Sequence, residues 1–339
     1  MVWVLFYTQF STHTIRKEVL FFMIKMNRKY VEKTFDECFK QFLLEHCSMS
    51  NMRENTKRYY MQNMEYGFYK YFDKEKNINE LTQNDINSYI LYLQKRDIKA
   101  TTINIYLKAL KTVLIFFQKK MWIDSNITVQ FVREDKEQLD VYTDNEIQIL
   151  LKKPNMNNIT FAQYRNWVIV NFLCCTGARR STIINIHKED LDLVNGYCKF
   201  RHTKNRKPLT VPITPTMINI FKTYIEYLPI DCEFLFPTVA GEQMKPRALS
   251  RAIQDYNKSC GINKTSIHLF RHWFAKKCVL NGVNIVQLQH LLGHSNLEIL
   301  KHYVEMLTED LNYKTLEQNP LENMNLKTIK NKHITIKKR

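Results

Sequence analysis

The chain has 339 residues, room for about two domains at roughly 150 residues each, and its 50 Lys and Arg outnumber 33 Asp and Glu to leave a net charge of +17. An apolar fraction of 45% with 12% aromatics excludes a disordered chain, and the surplus of positive charge calls for an anionic partner, either nucleic acid or a membrane surface. Cys38, Cys47, Cys174, Cys175, Cys198, Cys232, Cys260 and Cys278 form no CxxC pair, so they read as reduced thiols and not as a zinc or redox motif.

At the amino end, "VWVLFY" and "VLFFMI" (19–24) are separated by Arg16, Lys17 and Glu18, and neither is long enough for a signal peptide or a membrane span. A cytoplasmic protein without a membrane role is expected. Residues 1–29 match no domain pattern, and Met26 is a candidate alternative translation start.

Three threonines stand three residues ahead of an acid and just before an apolar periodic run: Thr34 with Glu37, Thr82 with Asp85, and Thr143 with Glu146. Each predicts a capping box opening a helix. The first helix gathers Phe35, Phe39, Phe42 and Leu43 on one face, and a second over 55–72 gathers Tyr60, Met64, Phe68 and Phe72. A third aligns Ile86, Tyr89, Ile90 and Leu93, and a fourth from Thr102 aligns Ile103, Tyr106, Leu110, Val113 and Phe117. Residues 30–124 therefore read as a four-helix domain. Its polar positions carry Arg53, Lys57, Arg58, Lys95, Arg96, Lys99, Lys108 and Lys111, a set suited to a phosphate backbone, which tips the choice of partner toward nucleic acid.

Periodicity lapses over 125–142, a polar stretch of the kind that links domains. Beyond Thr143 come helices, then "DLDLVNGYCKFRHTKNRKPLTVPI", where Asn195-Gly196 signals a two-residue hairpin. Three short strands follow from this, the last two joined by the basic turn "TKNRKP". Helices then resume as far as the tail at 313–339, which ends in "KTIKNKHITIKKR", with six basic residues and no acid.

Four places carry chemistry. In "SIHLFRHWFAKKCVL", His268 and Arg271 lie three apart on a helix and share a face; a buried pair of this kind must meet an anion. In "CCTGARRSTI", a small-residue turn delivers Arg179 and Arg180 out of the apolar helix "WVIVNFL", and Arg180 reads as a surface residue. Lys204 occupies the hairpin turn with Arg206 and Lys207 as neighbours. In "LLGHSNLEILKHYVEM", Gly293 ends one helix, Ser295 and Glu298 cap the next, His294 sits between them, and Tyr303 follows nine residues later.

In this order, TG-A-R, hairpin lysine, HxxR, LGH and tyrosine resemble the tyrosine recombinase family, also called phage integrases, over about residues 30–312. The resemblance implies a mainly α fold with a small antiparallel β-sheet: a helical core-binding (SAM-like) domain at 30–124, a linker at 125–142 and a catalytic domain at 143–312, together clamping double-stranded DNA. It also implies that Arg179, Lys204, His268, Arg271 and His294 surround a scissile phosphate while Tyr303 attacks it, with no cofactor. Lys57, Arg58, Lys99, Thr102, Lys108 and Lys111 become the candidate DNA contacts. A homotetramer on DNA, accessory DNA-bending or excision proteins, and a nucleoid-associated location are implied in the same way.

The chemistry agrees with this. Charge gathers on the nonbridging oxygens of a phosphodiester in transit, and forked guanidiniums suit those oxygens better than ammonium groups. A tyrosine hydroxyl, with a pKa of about 10, needs a cationic pocket or a base before it attacks, and a lysine on a turn is a sensible acid for the leaving 5′ oxygen. Departures from the family pattern are Thr182, where an acid commonly supports the first arginine, and Thr203 and Asn205, where glycines are frequent. Thr182 is expected to hold Arg179 less firmly than a carboxylate would. The leading expectation is a recombinase that integrates and excises a mobile element. The alternatives are a chromosome-dimer-resolving recombinase, a type IB topoisomerase, and an inactive DNA-binding regulator.

Overall fold

The computed structural model describes residues 32–135, 140–203 and 207–293. The chain divides into two compact units, 1–138 and 139–339.

The first unit is helical. Helix α1 (Phe35–Phe42) runs into a π-helical turn (Leu43–Met49), followed by α2 (Glu54–Tyr66), α3 (Gln83–Gln94) and α4 (Ala100–Lys119). The capping boxes expected at Thr34 and Thr82 are both formed: Glu37 and Asp85 accept from the threonine amides at 2.9 and 2.8 Å, while the threonine hydroxyls accept in return. Phe35 lies at the centre of the core, its ring 5.1 Å from Phe68, 5.5 Å from Phe72 and 5.3 Å from Phe117, at separations where aromatic rings attract. Helix α4 is long and apolar enough to cross a membrane by length and composition. Its residues Ile103, Leu107, Leu110, Val113, Leu114 and Phe117 are instead buried in this core.

The helix expected over 55–72 stops at Tyr66. At Gly67 the backbone leaves the helix at φ −108° and ψ −90°, a turn that only glycine fits, since a Cβ there would lie 2.4 Å from the Asn63 carbonyl oxygen and 2.6 Å from the Tyr106 ring. The backbone turns away, and Phe68 and Phe72 reach the core from a 3₁₀ turn and the segment after it.

In the polar stretch after α4, two residues have both main-chain polar atoms satisfied by a single side-chain amide of this unit. Gln83 pairs with the main chain of Thr128, accepting at 2.7 Å and donating at 3.0 Å, and Asn104 pairs in the same way with Val132 at 2.9 and 2.7 Å. Each amide mimics a peptide group and satisfies both polar atoms of one residue in an otherwise irregular segment.

In the second unit, α5 (Asp144–Leu151) starts at the third expected capping box, Thr143 with Glu146. Helix α6 (Phe161–Thr176) starts at a fourth box, Thr160 with Gln163, that the sequence reading missed. Helix α6 is buried on every side, from Tyr164 through Leu173 to Thr176, as expected of a central core helix. Around it lie α8 (Pro215–Ile225), α9 (Pro246–Ser259) and α10 (Ile267–Leu280), with the short α7 (Arg180–Ile183) and α11 (Ile285–Leu292) beside the site.

The three-stranded antiparallel sheet has the order β1 (Leu191–Asp192), β2 (Tyr197–Phe200), β3 (Leu209–Pro212). Asn195-Gly196 lies in a four-residue turn and not the expected two-residue one, since Asp192 pairs with Tyr197. The Asp192 carboxylate causes the difference: it accepts from the amides of Val194 at 3.1 Å and Asn195 at 2.9 Å, and Gly196 takes the positive φ of 74° that closes the turn.

Candidate active site

Helix α6 ends because Gly177 enters the left-handed region at φ 60°, with its amide donating to Leu173 at 2.8 Å. A Cβ at this position would stand 2.6 Å from the Phe274 ring and 3.0 Å from Leu292, so α6, α10 and α11 meet with no room for a side chain. The turn sends Arg179 out as the N-cap of α7, half-buried, while Arg180 is exposed and donates to Ser250 at 3.1 Å.

Helix α10 carries the other two described members of the expected set. Arg271 is buried and forked: Nη1 donates to the Gly177 carbonyl at 2.9 Å and Nη2 to the Leu292 carbonyl at 2.8 Å. Arg179 Nη2 donates to the neighbouring carbonyl of Gly293 at 3.3 Å. Gly293 closes α11 at φ 60°, as the sequence indicates.

His268 and Arg271 differ in depth although they stand three residues apart. Such residues on an α-helix are offset by about 60°, which here leaves His268 exposed at the rim and Arg271 inside. The packing about the His268 ring, followed by the guanidiniums of Arg180, Arg271 and Arg179, holds its pKa below the ordinary histidine value. The ring therefore favours its neutral form and can accept a proton.

A small pocket between the end of α6 and the sheet is lined by Thr176, Ala178, Arg179, Thr182, Phe200, Thr203, Leu209, Arg271, Leu291 and Leu292, none of them acidic. Thr182, where a carboxylate was the family expectation, is buried in it. Thr203 donates from its hydroxyl to the Lys207 carbonyl at 2.6 Å, tying together the two described ends of the basic turn. Two hydroxyl-bearing residues, Thr176 and Thr203, were not foreseen as pocket residues, although Thr176 opens the TG-A-R signature and Thr203 precedes Lys204 in the basic turn. Lys204, His294 and Tyr303 lie outside the described residues, as do Ser295 and Glu298. Among the described residues no group of three His, Cys, Asp or Glu is placed to hold a metal ion.

On the first unit, Arg58, Lys99, Lys108 and Lys111 are exposed and Thr102 is half-buried. Lys57 is half-buried and faces Glu54 at 3.5 Å, and Lys111 lies over the Phe131 ring at 5.1 Å. Arg96 sits over the rings of Tyr92 and Tyr106.

A mainly helical unit with a small three-stranded sheet and a pocket holding two arginines is the arrangement of a tyrosine-type recombinase, with Thr182 in place of the expected carboxylate as this chain's departure from it. Residues 140–309 match the model of the phage integrase family and residues 39–124 that of the phage integrase N-terminal SAM-like domain; the chain belongs to the phage integrase family. It is a tyrosine-type site-specific recombinase, an enzyme of DNA strand cleavage and rejoining.

Tyrosine recombinase XerC of Staphylococcus aureus is 28% identical over 282 residues, covering 80% of this chain and 92% of the relative. Among solved structures, a Tn1549 transposon integrase in complex with transposon right end DNA aligns with a TM-score of 0.65 at 18% identity, over 80% of this chain and 94% of that one. A lambda integrase dimer bound to a COC′ core site aligns at 0.60 and 15%, over 78% and 95%. These two likenesses establish the fold.

Proposed function

We propose that this recombinase integrates and excises a mobile element through a covalent 3′-phosphotyrosine intermediate formed by Tyr303. The observation that carries the reading is the convergence of Arg271 and Arg179 on the carbonyls of Leu292 and Gly293, immediately ahead of His294 in the sequence, with His268 near enough for both guanidiniums to lower its pKa. Arg179 and Arg271 neutralise the nonbridging oxygens of the scissile phosphate as the phosphorus becomes pentavalent. The phenolic oxygen of Tyr303 attacks phosphorus, its proton passing to His268 or His294. The bond from phosphorus to the 5′ oxygen breaks, and Lys204 protonates that oxygen as it leaves. A 5′ hydroxyl of another strand then attacks the tyrosyl ester and releases the phenol, so the linkage is conserved without nucleotide hydrolysis.

In this reading, residues 30–124 form the core-binding domain, residues 143–312 the catalytic domain, and the two close on duplex DNA as a clamp. Lys57, Arg58, Lys99, Thr102, Lys108 and Lys111 face the phosphate backbone. The active assembly is a homotetramer on DNA, aided by accessory DNA-bending or excision proteins, in a cytoplasmic, nucleoid-associated setting.

The test is covalent capture from a pool of nicked duplexes of random sequence, followed by sequencing of the trapped DNA. The parental protein is expected to form an adduct stable to denaturant and Tyr303→Phe none, with DNA binding retained. An adduct formed by Tyr303→Phe would refute the nucleophile. Captured sequences that match a junction flanking the gene support the mobile-element role, whereas a fixed chromosomal site apart from it supports dimer resolution. Relaxation of plasmids lacking any captured sequence would place the activity with the topoisomerases.

A further inference from the structure

The segment ahead of α10 is held by an arrangement that none of the reacting groups explains. Lys264 stands just before the N-cap Ser266, and Ser266 gives α10 no side-chain cap. The Lys264 ammonium donates to the Val141 carbonyl at 3.0 Å and pairs with Glu146 at 2.9 Å and Asp140 at 2.8 Å, with only 16% of its side chain exposed. Its main-chain carbonyl accepts from the Tyr142 hydroxyl at 3.1 Å and from Asn257 at 2.7 Å. Asn257 is fully buried and also donates to the Tyr142 hydroxyl at 2.7 Å.

The contacts continue along α10. The Tyr142 ring packs on Phe270 at a centroid distance of 4.4 Å. Farther on, Asp144 accepts from Trp273 Nε1 at 3.1 Å and pairs with Lys277. Residues 140–146 thus run beside the helix that presents His268 and Arg271, fastened to it at several points, and Lys264 is the fastening at the end nearest His268.

We infer that Lys264 is a positioning residue for the recombination chemistry: by tying the entry of α10 to Asp140, Val141 and Glu146, it sets where His268 and Arg271 stand. The inference rests on the site reading proposed above. An exposed ion pair would contribute little, but this ammonium is largely enclosed and has three acceptors. With no side-chain cap at Ser266, the ammonium holds the entry of α10 together with the Tyr142 and Asn257 hydrogen bonds to the Lys264 main-chain carbonyl, and it is the charged one of these ties. Displacement of reacting groups by about 1 Å costs up to about 100-fold in rate, so the clamp should be read in the chemical step and not in DNA affinity.

The experiment uses the full chain and a nicked duplex recovered by the capture above, in single-turnover cleavage with a parallel measurement of duplex affinity. Lys264→Met keeps the methylene stem and removes the charge. Its cleavage rate constant should fall roughly tenfold or more, while affinity stays within about twofold. Lys264→Arg, able to span the same carboxylates, should recover most of the rate. Parental cleavage by Lys264→Met would overturn the inference, and so would an arginine variant as slow as the methionine one. If Lys264→Met fails to fold, Glu146→Gln removes the charge of the more enclosed carboxylate partner while a glutamine can still complete the capping box with Thr143, and an unchanged rate there overturns the inference. A parental chain that never cleaves would instead sink the site reading itself.

Discussion

Arg271 and Arg179 donate to consecutive main-chain carbonyls, those of Leu292 and Gly293, at 2.8 and 3.3 Å. Two like charges come together here because the C-terminal carbonyls of α11 have no partner within their own helix and carry the negative end of its dipole. The helix end thus fixes both guanidiniums before any phosphate arrives, and Gly293 leads directly to His294.

The fork of Arg271 cannot be replaced by a single ammonium. In Arg271→Lys, one of the Gly177 and Leu292 carbonyls loses its donor in a buried place, which costs about 1–3 kcal/mol and is measured by urea unfolding. Single-turnover cleavage should slow by about 10²–10³-fold, the scale for losing one preorganised donor. A lysine variant that cleaves at the parental rate would remove Arg271 from the reacting set.

Gly177 offers an independent check on how the turn holds that fork. Alanine at φ 60° costs about 1–2 kcal/mol in backbone strain alone, and its Cβ would also meet the Phe274 ring at 2.6 Å. Gly261 provides the control, with a φ of 78° and nothing within 4 Å of a built Cβ. Gly177→Ala should therefore destabilise more than Gly261→Ala in urea unfolding, and it alone should slow cleavage. Equal losses would show that the junction of α6, α10 and α11 can yield.

His268 sets a pH dependence whose sign follows from its depressed pKa. Packing about the ring, with Arg180, Arg271 and Arg179 nearby, disfavours the charged form. The folded state therefore binds its proton at lower pH than the unfolded chain, whose histidine titrates near ~6.5. This contribution is fully present above the unfolded pKa and is lost as pH falls toward the folded value. Compared with His268→Gln, the parental protein should lose relative stability on moving from pH 7.5 to pH 5.5, as followed by urea unfolding. An NMR titration with the His268 midpoint at or above the ordinary histidine value would contradict the cationic surroundings described here.

What the sequence made legible was mostly local. The boxes at Thr34, Thr82 and Thr143 were readable because each is complete within four residues, and the same rule applied to glutamine would have found Thr160 with Gln163. The break at Gly67 was not readable, since the periodicity continues through it and the close approach that requires glycine comes partly from Tyr106 on another helix. The hairpin turn was misjudged because an Asp192 side chain, and not Asn195-Gly196 alone, sets its length. At the site, Arg179, His268 and Arg271 could be named from motif order, but their depths could not. Lys264 carried no signal at all: one lysine among 50 basic residues gains significance only when Asp140 and Glu146 fold against it.

The basic face of the first unit makes a graded prediction, because its cations are not equally available. Arg58 and Lys108 are exposed, whereas Lys57 is half-buried and faces Glu54 at 3.5 Å. For cations bound to duplex DNA, log affinity falls with log salt by ~0.9 per phosphate neutralised, so removing one full contact should reduce the slope by about 1. Arg58→Ala and Lys108→Ala should each approach that value on a nonspecific duplex. Lys57→Ala should change the slope less, because Glu54 competes with phosphate for its ammonium and is itself released when the lysine is lost. Titrations by fluorescence anisotropy at several salt concentrations would measure all three. Equal slopes for the parental protein and the Arg58 and Lys108 variants would mean that these cations do not meet the phosphate backbone.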